Sequence, residues 1–379
     1  MKVEFYRHNL DEEDIARLVK VCRGVFLTTG EDVKRFEESF AAYLGARHAV
    51  GVTSCTAALH LALLAVGVGP GDEVITTPLT FAATSNTVLY TGAIPVFVDV
   101  ESDTGLISAD AVERAITPRT KAILPVHLYG QMADMRRLKT IADRAGVALI
   151  EDCAHATEAT RDGVRPAALS DAACFSFYAT KNITSGEGGA VSTNSQAIAD
   201  RVRLLRQHGM SASALDRHSD VYRHWDLELL GWKYNMTNLQ AALLIGQMDR
   251  IDALLERREA IAVRYEVGLR GADGVAFPSV VAGARSARHL FTVWVDPGRR
   301  DEVLGDLQAR GIGVAVNYRA VHLLKYYRER FGFRRGTFPV AERIGDTTVT
   351  LPFYPKLADA EVDYVVESVK AAAVAATRV

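Results

Sequence analysis

Residues 147–152 read VALIED and residues 173–181 read ACFSFYATK. Each is a short apolar run closed by charge: Glu151 and Asp152 end the first, and Lys181 follows the second. Similar runs lie outward from these two. EVITT (73–77) leads into an amphipathic segment through Tyr90, and IPVFVDV (94–100) precedes DAVERAI. KAILPV (121–126) precedes MADMRRLKTIADRAG, and GAVST (189–193) closes the series. Strand-like runs alternating with helix-like ones predict βαβ units, hence an α/β fold with a mainly parallel central sheet flanked by helices. Such sheets bind ligands beyond the carboxyl ends of their strands. Asp152 and Lys181 both fall there.

The pattern changes after residue 236. TNLQAALLIGQMDRIDALLERREAIAVRYEVGLR contains no proline and keeps helical apolar spacing, which predicts one long helix. HLFTVWVD (289–296), a helix near 300–310, GVAVNY (313–318) and a terminal helix from Asp359 then predict a smaller α+β unit. The expected division is a large domain over 1–250 and a small C-terminal domain over 251–379, with the N-terminal segment able to pack against the latter. A chain of 379 residues, 49% hydrophobic, has the material for both.

Composition narrows the function classes. The net charge is −2 with no basic block, which argues against nucleic acid, and no polybasic or lipidation signal points to a membrane. Apolar stretches such as AALHLALLAVGVG are too short for a membrane span, and the first twenty residues hold no signal-peptide core. Cys22, Cys55, Cys153 and Cys174 form no CxxC pair, so a zinc site is not expected and buried free thiols are. The reading is a cytoplasmic globular protein. The sequons at Asn182 and Asn235 carry no weight without a secretion signal.

Four loops hold candidate chemistry. In GVTSCTAALHLALL (51–64), Ser54, Cys55 and Thr56 precede an apolar helix. They serve as an ordinary N-cap or hold a phosphate at the positive helix end, and local sequence leaves both open. Asp152 and His155 in LIEDCAHA (149–156) either cap a turn or meet a cation, such as a protonated heterocyclic nitrogen. Lys181 has an apolar run upstream and Gly186, Gly188 and Gly189 downstream. A lysine so placed deprotonates readily and condenses with an aldehyde. Phe81 in PLTFAAT either packs in the core or stacks on a ring. Pyridoxal phosphate needs a lysine for its aldehyde, an acid for its pyridine nitrogen and a cradle for its phosphate. Lys181, Asp152 and residues 54–56 supply all three.

The motifs TSCTAALHLAL, GDEVITTPLTFAAT, GAIPVFVDV, ITPRTKAILPVHLYGQ, IEDCAHA and FSFYATKNITSGEGGAVSTN together resemble the DegT/DnrJ/EryC1/StrS aminotransferases. That resemblance runs from about residue 5 to the C-terminus. It implies the aminotransferase fold type I, pyridoxal 5'-phosphate with pyridoxamine 5'-phosphate as its intermediate form, and a substrate pair of L-glutamate (leaving as 2-oxoglutarate) and a nucleotide-linked keto sugar. It also implies roles. Lys181 would carry the cofactor and shuttle the proton, Asp152 would hold the pyridine nitrogen protonated, and Phe81 would stack on the ring. His155 would lie near the phenolic oxygen. Thr56, the Ala57 amide and Ser176 would hold the phosphate. A segment resembling GWKYNM (231–236) would reach the phosphate from the neighbouring subunit of a homodimer, through Lys233 or Asn235. Tyr318, Arg319 and His322 would meet the substrate. Related dehydratases carry histidine at the Schiff-base position, so Lys181 favours amino transfer over a dehydratase; a lyase on the same scaffold stays an alternative, and a non-catalytic regulator would be marked by loss of Lys181 or Asp152, both of which are present.

Overall fold

A computed structural model describes residues 1–211 and 224–375. Its strands in chain order are β1 (His48–Val52), β2 (Glu73–Thr76), β3 (Ile94–Phe97), β4 (Thr120–Leu124), β5 (Ala148–Asp152), β6 (Thr160–Arg161), β7 (Ala172–Ser176), β8 (Gly189–Thr193), β9 (Ala284–Arg285), β10 (Phe291–Trp294) and β11 (Thr348–Leu351). Seven of them form the central sheet in the order β1-β8-β7-β5-β4-β2-β3. The pairs β2–β3, β2–β4, β4–β5 and β5–β7 are parallel, whereas β8 runs antiparallel to both neighbours. The mainly parallel α/β sheet expected from sequence is therefore present, with one reversed strand. Gly189 begins that strand so close to the Ser54–Cys55 backbone that a Cβ would sit 2.4 Å from the Ser54 carbonyl carbon.

The long helix spans Asn238–Leu269 and opens on a capping box between Thr237 and Gln240. Its first half joins Phe36, Phe40, Phe175 and Phe177 in one apolar cluster through Leu244, Met248 and Ile251. Its second half, through Ile261, Tyr265 and Leu269, joins Val3, Phe291, Leu351 and Val365 in another. Val3 also bridges Ile312, so the chain start packs on the C-terminal cluster. The helices Arg300–Ala309 and Asp359–Ala375 form as expected.

Two expectations need correction. GVAVNY is not a strand: only Ala315 bridges Thr350, and β10 pairs instead with TVTL at 348–351. The Gly313 amide is spent on the Val3 carbonyl at 2.9 Å, so the segment divides its bonds between two neighbours. Three of the four cysteines are buried free thiols, but Cys22 is exposed, at the last turn of an amphipathic helix.

Phe40 is wholly buried and meets Phe175 and Phe177 edge-on, with centroids 4.9 and 5.3 Å away. It thus braces the strand that leads to Lys181. Phe40→Ala is expected to cost about 3–5 kcal/mol of stability, measured as a lowered urea midpoint.

Candidate active site

The parallel strands end on one side of a cavity of about 560 Å³. Ser54 and Thr56 come from the end of β1, Thr80 and Phe81 from the segment after β2, and Asp152 and His155 from β5 and the turn beyond it. Ser176 ends β7, and Lys181 lies five residues further on. Tyr318, Asn317 and His289 close the far wall.

Asp152 is 5% exposed. Its Oδ2 accepts the Thr84 hydroxyl at 2.8 Å and its Oδ1 accepts the Ala154 amide at 3.1 Å. Burial pushes its carboxyl up from the usual range, and those two donors only partly offset this. The neighbouring Glu151 points to the opposite face, as alternation along a strand requires. It is fully engaged there, with Oε2 taking His127 at 2.7 Å and Oε1 taking the Ala167 amide at 2.8 Å and the Ser170 hydroxyl. Within the buried grouping of His127, Glu151 and Cys153, His127 and Glu151 are thus hydrogen-bonded to each other and to neighbouring backbone and hydroxyl groups.

Lys181 is half-buried where the Tyr178 carbonyl accepts its amide at 2.9 Å. Burial lowers its pKa to about 8. Its Nζ lies 3.4 Å from His289 Nε2, and the hydrogen-bond network assigns the histidine tautomer. Asn182 Nδ2 donates to Glu158 Oε2 at 2.7 Å and to the Ala287 carbonyl at 2.9 Å. Asn182 Oδ1 is therefore the atom facing His289 Nδ1 at 3.1 Å, and Nδ1 must carry the proton. The Nε2 lone pair then points at Lys181. Burial holds His289 well below the usual histidine range, so it stays neutral. Glu158 in turn pairs with the buried Arg258 of the long helix. Sequence reading missed His289 because it opens an apolar run and has no local motif.

The other expected residues divide into groups. Phe81 lines the cavity as a residue 62% exposed, with its ring centroid 6.0 Å from that of Tyr318. Thr56 and Ser176 line it as well. His155 is buried, accepts the Tyr129 amide at Nδ1 and so donates from Nε2 to the Tyr318 hydroxyl at 3.1 Å. Ala57 does not line the cavity, and its amide is taken by Ser54 Oγ at 3.1 Å. The N-cap is made internally, contrary to a free Ala57 amide. Asn235 is buried and donates to Thr29 Oγ1 at 2.7 Å, while Lys233 is exposed; neither lines this cavity. Arg319 lines a different pocket. His322 is completely buried and bonded to Glu342 Oε1 at 2.9 Å, so the structure corrects its expected place at the substrate. Two lining groups remain unspent among the described residues: the Asp152 carboxylate forms no ion pair, and buried Asn317 Oδ1 has no hydrogen-bond partner.

The model of the DegT/DnrJ/EryC1/StrS aminotransferase family matches residues 8–370. The spore coat polysaccharide biosynthesis protein SpsC of Bacillus subtilis is 42% identical over 95% of this chain and 94% of its own. Among solved structures, Spr1654 from Streptococcus pneumoniae in its PLP-form superposes with a TM-score of 0.92 at 30% identity, covering 99% of each chain. The sugar aminotransferase CalS13 from Micromonospora echinospora gives 0.88 at 29%, covering 97% of this chain and 99% of its own.

Without cofactor, amine-selective labelling of Lys181 is expected to titrate with a midpoint near 8. The Asp152 charge favours the ammonium form, so Asp152→Asn should move that midpoint lower still. Peptide mapping of the labelled protein across pH measures both.

Proposed function

Because the chain belongs to the DegT/DnrJ/EryC1/StrS aminotransferase family, we propose that it is a pyridoxal-phosphate enzyme. It would carry an amino group from L-glutamate to a keto sugar linked to a nucleotide, a UDP- or dTDP-4-keto sugar, in amino-sugar biosynthesis. The observation that carries this reading is the meeting of Asp152, Lys181 and the open Phe81 ring in one cavity. The names of SpsC, CalS13 and the PLP-form of Spr1654 support the sugar, the transfer and the cofactor in turn.

The residues fit such a group. A protonated pyridine nitrogen would give buried Asp152 the cation it lacks, and Asn317 Oδ1 offers a further acceptor. Phe81 presents a ring face, and Thr56 and Ser176 present hydroxyls. When bound, pyridoxal phosphate supplies the electron sink that stabilises a carbanion beside nitrogen. Lys181 would hold it by its amine and, when released from it, would take and return a proton at Nζ. A pKa near 8 leaves a useful neutral fraction at working pH. His289 Nε2 accepts from that nitrogen and fixes its direction. His155, pinned by the Tyr129 amide, orients the Tyr318 hydroxyl in the cavity wall.

The enzyme acts as a homodimer on this reading. Asn235 is committed to Thr29 within its own protomer, which leaves exposed Lys233 as the group able to reach a partner's phosphate. The division into a large unit over 1–250 and a small one over 251–379 is supported by the two apolar clusters that the long helix joins.

The test is visible absorption of the cofactor-loaded protein. Addition of L-glutamate should abolish the band and release 2-oxoglutarate, and a UDP- or dTDP-linked 4-keto sugar should restore it. A band unchanged by every amino donor would sink the reading. Lys181→Ala should lower turnover by about 10²–10⁴-fold or more. In a companion measurement, Lys233→Ala should lower the cofactor retained after dialysis, whereas Asn235→Ala should chiefly lower the melting temperature.

A further inference from the structure

A second pocket, of about 360 Å³, is lined by Arg319, Leu323, Arg328, Phe333, Arg334 and Arg335. We infer that it binds the diphosphate of the nucleotide-linked substrate; this rests on the reading above. Residues 319–335 hold six lysines and arginines against the single acid Glu329, in a chain whose net charge is −2. Among the described residues, the guanidinium groups of Arg319, Arg328 and Arg334 pair with no carboxylate. Arg335 alone is held, by Asp346 at 2.5 Å with Glu342 at 4.0 Å. Among the described residues no acid lines the pocket. Four guanidinium groups around one hollow repel one another, and the field they sum to draws an anion. Their planar forks match phosphate oxygens two at a time, and Phe333 and Leu323 supply an apolar wall.

The frame behind these arginines is firmly built. Glu342 accepts from His322 Nε2 and from the amides of Gly336 and Phe338, which fixes both ends of the arginine-bearing stretch. Tyr327 reaches Asn86 Oδ1 at 2.6 Å and Ser85 Oγ at 2.7 Å, which ties the segment to the helix that follows Phe81. Such support pre-organises a binding constellation. His322, expected at the substrate, thus acts as part of the frame.

The link to the active cavity decides what the anion is. Tyr318 lines the inner cavity and Arg319, the very next residue, lines the outer pocket. A sugar whose keto carbon lies at Lys181 carries its diphosphate away from that carbon, and Arg319 stands one residue along the chain from the Tyr318 wall of the cavity. Free phosphate offers the same oxygens, so the experiment separates the two sources.

Cofactor-loaded protein is titrated calorimetrically with UDP, inorganic pyrophosphate and uridine. UDP and pyrophosphate should bind competitively and weaken with added salt, while uridine alone should bind far more weakly. The double variant Arg328→Ala, Arg334→Ala should lose about tenfold or more in UDP affinity, which is about 1.4 kcal/mol or more. Arg328→Lys, Arg334→Lys keeps the charge but not the fork and should fall between, which guards against misfolding of the alanine variant. Equal UDP affinity in wild type and both variants would overturn the inference. So would pyrophosphate binding that does not compete with UDP, the mark of a separate phosphate site. Calorimetry needs no turnover, so failure of glutamate to abolish the wild-type band would sink the aminotransferase reading while arginine-dependent UDP binding would still support the pocket.

Discussion

A carboxylate buried at the end of a parallel strand is the constraint on which the site depends. Among the described residues Asp152 has the Thr84 hydroxyl, the Ala154 amide and, at 4.0 Å, the Cys55 thiol as donors but forms no ion pair, and burial drives it toward its neutral form. Lys181 is driven the same way by the same cause. Two opposite groups in one cavity, each pushed toward neutrality, leave a place for a ligand that brings its own positive charge. The sheet order makes this possible: β5 and β7 are direct neighbours, so the acid and the lysine loop emerge side by side. The reversed strand β8 returns the chain from that loop through a point that only glycine can occupy beside Ser54.

A second line of interactions runs behind Lys181. Arg258 of the long helix pairs with Glu158, which receives Asn182, which fixes the tautomer of His289. A buried ion pair is a costly way to gain stability. Here the pair has a positional consequence, because the orientation of the Asn182 amide, and through it the free lone pair of His289, follows from it. The helix that carries Arg258 also belongs to both large apolar clusters, so the orientation of the lysine is tied to the packing of the whole chain.

Much of this was legible in the sequence. Runs such as VALIED and ACFSFY announce strands because β-propensity and burial act locally, and the residue after a strand is fixed in place once the strand is known. The reversed direction of β8 was not legible, because nothing local distinguishes a parallel neighbour from an antiparallel one. GVAVNY looks more strand-like than TVTL, yet the latter pairs with β10; the choice is made by a contact across the fold. His322 and His289 exchanged roles for a related reason. A histidine in sequence carries no mark of whether it faces a cavity or an internal acid, and Glu342 and Asn182 make that decision here. Asn235 and the Ala57 amide were likewise claimed by near neighbours, Thr29 and Ser54, before any ligand could use them.

The two pockets on either side of Tyr318–Arg319 differ in kind. The inner one holds groups whose protonation is tuned by burial, and the outer one holds exposed guanidinium groups, of which, among the described residues, only Arg335 is paired with acids. Reaction rate depends on interactions that strengthen at the transition state, and binding energy from remote parts of a substrate can be directed to orienting the reacting end. A cationic outer pocket provides that energy without placing a permanent charge beside Lys181, where it would depress the amine further and compete with the ring for Asp152. The single peptide link between Tyr318 and Arg319 keeps the two functions adjacent and chemically separate. On the proposed reading, that separation lets the outer pocket hold the diphosphate while the inner site acts on the sugar carbon.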